Sequence, residues 1–232
     1  MKKSKKLQLT MTPAETVWGW RYLLFALALL PMLLFQINSR LPSPLDTPWV
    51  NFFYHLINFL VVIGLFRKFL LESVRQAGRQ LLPCLRGALL GFAAYWVLSF
   101  AVDYAITALV PGFYNVNDST VTAMAGKQYW LTAIGAVVLV PVAEETFFRG
   151  LIFRGLYSRS KAGAYAISTA AFCAAHILSY AGIYSSLTLL LCFVQYIPAG
   201  LCLAWAYVHA DCIFAPILIH TMVNAIAIYA MR

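Results

Sequence analysis

The chain has 232 residues, of which 62% are hydrophobic and only 11% charged, with a formal net charge of +9. Soluble domains carry about 25% charged residues, so this composition excludes a soluble globular protein. The apolar runs are continuous and not alternating, which excludes a transmembrane β-barrel; the basic residues cluster between those runs, as positive-inside orientation requires, and make no nucleic-acid footprint.

The expected fold is an all-α polytopic membrane protein, a bundle of about seven transmembrane helices, with six to eight fitting the same pattern. Lys2, Lys3, Lys5 and Lys6 precede a first apolar run over residues 22–37. That run is longer than a usual signal-peptide core, and Asn38-Ser39-Arg40 follows it where a small-residue cleavage site would stand. It reads as a retained helix, kinked at Pro31, with the N-terminus in the cytoplasm. A proline-rich outer loop leads to a second helix over residues 52–66. Arg67, Lys68, Arg75, Arg79 and Arg86 then flank Phe69, Leu70, Leu71, Leu81 and Leu82. This stretch reads either as an amphipathic connector lying on anionic lipid or as a plain solvated loop. The third helix, residues 87–110, carries Gly87 and Gly91, a GxxxG packing signal, and Asp103 towards its outer end. Residues 111–128 read as a polar outer loop. On this reading residues 1–125 are transmembrane helices and connector without a motif, and residues 126–232 form the core that carries the motifs.

The fourth helix, residues 130–157, holds Glu144, Glu145 and Arg149 inside an apolar run. Each ionised group near a membrane midplane costs about 2.5–3.5 kcal/mol on insertion scales. Such a cluster therefore marks either a functional site facing a wet cavity or a buried charge network that only holds helices together. At about 100° per residue, Glu145 and Arg149 share a face one turn apart, whereas Glu144 points elsewhere. Arg149 is thus expected to neutralise and orient Glu145 and to leave Glu144 free. A fifth helix, residues 163–180, carries Phe172 and His176 at i, i+4. A sixth, residues 185–208, carries Gln195 and Pro198. A seventh, residues 212–231, carries His220 and Asn224, again at i, i+4. At 1.5 Å per residue, Glu144, His176, His220 and Asn224 all fall roughly 12–18 Å below the cytoplasmic surface.

An acid, two imidazoles and an amide at one depth suit hydrolysis of an amide. Glu and His can hold and deprotonate a water; His and Asn can donate hydrogen bonds to the oxyanion of a tetrahedral intermediate. Glu144, His176 and His220 would also suit a catalytic Zn2+. There is no HExxH, and an Asn beside the histidines fits an oxyanion donor better than a ligand, so a cofactor-free reaction is favoured. Cys173, one turn before His176, is a candidate nucleophile without evident activation. The five cysteines, Cys84, Cys173, Cys192, Cys202 and Cys212, are scattered and form no CxxC pair. They read as free thiols and not as a disulfide framework. The non-enzymatic alternatives are a membrane immunity or peptide-binding protein and, with no inverted repeat in its favour, a solute carrier.

Three segments carry a resemblance to a known family: Glu144-Glu145-Thr-Phe-Phe-Arg149, Phe172-Cys-Ala-Ala-His176 and His220-Thr-Met-Val-Asn224. In this order they resemble the EExxxR, FxxxH and Hxxx(N/D) motifs of the CPBP intramembrane proteases, which include CAAX prenyl endopeptidases and bacteriocin-processing (Abi) proteins. The resemblance covers about residues 130–230. It implies cleavage of a peptide bond within or beside the membrane. Glu144 would activate water with His176, His220 and Asn224 would form the oxyanion hole, and Glu145, Arg149 and Phe172 would support the site. Members have been described both as zinc enzymes and as glutamate-dependent ones. The CAAX-type enzyme has a further helix after its last motif, whereas this sequence runs only to Arg232. A bacterial cytoplasmic membrane and a leader, pheromone, sorting-tag or CAAX-like peptide substrate are the corresponding expectations.

Overall fold

The computed structural model describes residues 7–232. Lys2, Lys3, Lys5 and Lys6, the basic start on which the cytoplasmic N-terminus rests, lie outside the described residues. The described residues form nine helices and no strand: α1 (Pro13–Ser39), α2 (Thr47–Leu65), α3 (Arg67–Arg79), α4 (Leu81–Leu109), α5 (Val116–Lys127), α6 (Tyr129–Tyr157), α7 (Lys161–Ile177), α8 (Ser186–Ala210) and α9 (Phe214–Ala230). A 3-10 turn, Leu178–Tyr180, extends α7. Six of the helices (α1, α2, α4, α6, α7 and α8) are long and apolar enough to cross a bilayer, and α9 is a shorter apolar helix. The chain is an all-α integral membrane protein.

Three of the differences from the pattern of apolar residues have a local cause. Helix α1 starts well before residue 22 because Thr12 and Glu15 form a capping box: Glu15 N–H donates to Thr12 Oγ1 (3.2 Å) and Thr12 N–H to Glu15 Oε2 (2.8 Å). The other carboxylate oxygen of Glu15 accepts Phe69 N–H (3.0 Å) in the first turn of α3, satisfying an amide that a helix start leaves open. The basic connector is therefore a helix docked on the bundle and not a solvated loop. Phe69, Leu70, Ser73 and Gln76 are buried, while Arg67, Lys68, Leu71, Val74 and Arg75 face outwards. The expected outer loop of residues 111–128 contains α5. Asn115 caps it, accepting Asn117 N–H (2.9 Å) and Asp118 N–H (3.2 Å). Its anchorage is polar, so no apolar periodicity announces it.

Helix α6 is the centre of the bundle. Half of the residues in its apolar window are buried by protein, against 17–33% in the other spans, whose remaining apolar surface is left for lipid. It packs against α1, α2, α7, α8 and α9. The buried core draws on Leu23 and Val62 from one end of the sequence and Phe172 and Ile219 from the other.

Helix α4 lies close on α8 and α9. A Cβ on Gly91 would stand 2.6 Å from Ile219 Cδ1 and 3.0 Å from Ala206 Cβ, and one on Gly87 2.8 Å from Ala210 Cβ. In a membrane such small-residue contact substitutes for the missing hydrophobic drive between helices. Gly91→Val is expected to destabilise the protein by about 1–3 kcal/mol through overpacking. Thermal unfolding in detergent checks this. Gly64→Ala, where no atom lies within 4 Å of the new methyl, serves as the neutral control.

Candidate active site

The acids sit on an irregular helix. α6 is α-helical over Tyr129–Ile134, π-helical over Gly135–Leu139, α-helical over Val140–Glu145, π-helical over Thr146–Phe153 and α-helical again over Arg154–Tyr157. Widened turns of this kind recur at functional sites, and here two of them flank Glu144 and Glu145. The first has an evident cause. Val140 N–H reaches back to Gly135 O, so it cannot serve Ala136 O. The next residue in the widened register is Pro141, which has no N–H to give. Ala136 O accepts from Asn224 Nδ2 of α9 instead, at 2.7 Å. The break in α6 thus sets where Asn224 stands.

Glu145 is the hub of the buried charge. Its Oε1 accepts from Arg149 Nη1 at 3.1 Å and from His220 Nδ1 at 2.9 Å. Glu145 and Arg149 side chains are both fully buried, which only a close, hydrogen-bonded pair can sustain. Arg149 also donates from Nη2 to Gly200 O (3.3 Å) and Ala199 O (3.4 Å) of α8, and its guanidinium lies 4.6 Å from the centre of the Phe172 ring. The pairing of Arg149 with Glu145 follows the one-turn spacing. The bond from Glu145 to His220 joins helices distant in sequence, and helical spacing carries no signal of it.

Glu144 faces the other imidazole. Its Oε2 is 3.8 Å from His176 Nε2, too far for a direct hydrogen bond. His176 Nδ1 lies 2.8 Å from Phe172 O. A carbonyl can only accept, so Nδ1 carries the hydrogen and Nε2 of the neutral ring presents a lone pair towards Glu144. Phe172 serves both imidazoles, its ring centre lying 4.5 Å from that of His176 and 6.0 Å from that of His220. Glu144 Oε2 and Glu145 Oε2 are buried without a hydrogen-bond partner among the described residues. The Glu144 and His176 side chains nevertheless keep 24% and 15% of their surface open, so a small molecule can reach the pair.

Glu144, Glu145, Arg149, Phe172, His176 and His220 therefore form one connected cluster from α6, α7 and α9; Asn224, one turn after His220 on α9, is bound to Ala136 O of α6. Tyr196 of α8, whose ring centre is 4.4 Å from that of His176, belongs to the same cluster and carries no motif. Among the described residues no three His, Cys, Asp or Glu side chains are grouped closely enough to hold a metal ion. Glu145, not Glu144, makes the contact to His220. Cys173 is fully buried.

Residues 126–226 match the family model described as type II CAAX prenyl endopeptidase, Rce1-like. Over that segment the chain is similar to the Rce1-like CAAX prenyl endopeptidases. The segment runs past Glu144 at one end and Asn224 at the other and so contains every residue of the cluster. No curated protein and no solved structure matches the chain.

Proposed function

We propose that the chain hydrolyses a peptide bond in or beside the membrane with a water held between Glu144 and His176. The observation that carries this is Glu144 Oε2, buried, unpartnered and facing the His176 Nε2 lone pair at 3.8 Å. A water off the line between them lies within ordinary hydrogen-bond reach, about 2.8 Å, of both atoms. Glu144 takes one proton as that water attacks the carbonyl carbon, and His176 accepts the other O–H and aims the oxygen. The carbonyl π electrons move to oxygen as the C–O bond forms. Asn224, whose Nδ2 has a second hydrogen beyond the one on Ala136 O, and His220 donate to that oxyanion. Because His220 Nδ1 already donates to Glu145, donation from Nε2 as well belongs to its doubly protonated ring. Collapse breaks the C–N bond, and Glu144 passes its proton to the leaving amine.

The family description supports a CAAX-like peptide as one substrate class; leader, pheromone and sorting-tag peptides are the others. The exposed Arg67, Lys68, Arg75, Leu71 and Val74 of α3 support a contact with anionic lipid headgroups, on the cytoplasmic face of a bacterial inner membrane with the N-terminus on the same side.

The test is purified protein in nanodiscs with fluorophore–quencher peptides: a farnesylated CAAX peptide, a secretory leader and a membrane-anchored C-terminal sorting tag. Cleavage of at least one, unaffected by 1,10-phenanthroline, is the expected result. Binding of a peptide with no cleavage of any would overturn the proteolytic reading in favour of a binder. Inhibition by the chelator with recovery on added zinc would overturn the metal-free reaction.

A further inference from the structure

His176 is held at one nitrogen by its own helix, through Nδ1–H to Phe172 O. That bond selects one of the two orientations open to an imidazole about χ2, but a single neutral hydrogen bond holds the choice only weakly. Further contacts have to keep Nε2, and not a ring carbon, turned towards Glu144. Two aromatic rings do so: Phe172 at 4.5 Å between ring centres and Tyr196 at 4.4 Å. A half-turn about χ2 would sweep the edge of the imidazole through space that Tyr196 fills.

Tyr196 is in turn pinned from outside the catalytic motifs. Its hydroxyl accepts from Asn117 Nδ2 at 2.9 Å and donates to Asp118 Oδ1 at 3.1 Å, both in the first turn of α5. Asn117 Oδ1 is itself held by Tyr180 OH at 3.3 Å, and the capping residue Asn115 donates to Gln195 Oε1 at 2.9 Å. Helix α5 thus has a polar foot on α8 and on the end of α7, just where those helices carry Tyr196 and follow His176. Val116, Met124 and Ala125 of α5 are buried as well, but only the polar foot reaches Tyr196.

We propose that Tyr196 is a positioning residue for His176, and that the first turn of α5 is the strut that sets it. Neither lies in the three motif segments. The inference rests on His176 serving the hydrolytic water, but the orientation of its ring is measurable without turnover.

The experiment compares wild type, Tyr196→Leu, Tyr196→Phe and Asn117→Ala in nanodiscs, by NMR of 15N-histidine for the His176 tautomer and by steady-state cleavage of whichever reporter peptide the wild type cuts. Wild type is expected to show a single tautomer with hydrogen on Nδ1. Tyr196→Leu should show a mixture and lose about tenfold to a hundredfold in kcat, the scale on which misplacement of a catalytic group is felt, with KM within about twofold. Tyr196→Phe keeps the ring but cuts every hydrogen bond from it to α5, so it should fall between Tyr196→Leu and wild type; Asn117→Ala, which cuts one of those bonds, should lie nearer wild type. A wild-type tautomer and kcat in Tyr196→Leu would overturn the proposal. So would equal losses in Tyr196→Phe and Tyr196→Leu, which would mark a requirement of folding and not of ring placement. If no reporter is cut, the tautomer comparison still decides this point, and the failure belongs to the hydrolytic reading alone.

Discussion

Glu144→Gln is expected to lower kcat for peptide cleavage by about 10²–10⁴-fold, the usual contribution of a positioned general base, with KM and thermal stability unchanged. The amide has the shape of the carboxylate but cannot take the proton of the attacking water. Stability should hold because Glu144 is not part of the buried pairing: its Oε2 has no hydrogen-bond partner among the described residues, and the charge of Arg149 is met by Glu145. Glu144→Asp keeps the base but withdraws it by one methylene, so it should retain part of the activity. Steady-state kinetics alongside thermal unfolding checks both variants. A Glu144→Gln protein that cleaves within tenfold of wild type, about 1.4 kcal/mol in barrier, would remove the base from the account.

Arg149→Met should have the largest effect on folding. The side chain is fully buried and meets a fully buried carboxylate at 3.1 Å. Deleting one partner of such a pair leaves an uncompensated charge and costs about 3–5 kcal/mol. The variant also loses the bonds to Ala199 O and Gly200 O and the contact with the Phe172 ring, so α6 loosens from α7 and α8 together. The sharper form of the test is the double variant Arg149→Met with Glu145→Leu. Replacing a buried ion pair by apolar groups of similar volume is often neutral or better for stability, so much of the lost thermal stability should return. Activity should not, because His220 Nδ1 then has no Glu145 oxygen to donate to. Stability and activity recovering together would show that Glu145 is a packing element only.

Much of the site was legible because a membrane leaves few reasons to place ionisable groups in apolar runs. Glu144, Glu145 and Arg149 stand out against their helix, and helical spacing alone pairs Arg149 with Glu145. Depth counted in residues brings His176 to the level of Glu144 across two helices. What stayed hidden depends on which atoms meet between helices. The bond from Glu145 to His220 is set by packing of α9 against α6, and nothing in the local pattern of either helix encodes it. The hold of Asn224 on Ala136 O follows from Pro141, five residues on, but only once the turn before it is known to be widened; a uniform 100° per residue conceals that. Helix α5 escaped an apolar search because Asn115, Asn117 and Asp118 anchor it by hydrogen bonds. The start of α1 lay in a capping box, Thr12 with Glu15, outside the apolar run that defined the span.

The most direct measurement is an experimental structure of the protein in lipid, fine enough to show ordered water. The account predicts one water within about 3.2 Å of both Glu144 Oε2 and His176 Nε2. A metal ion bridging Glu144, His176 and His220, or a Glu144 carboxylate turned to lipid away from His176, would contradict it.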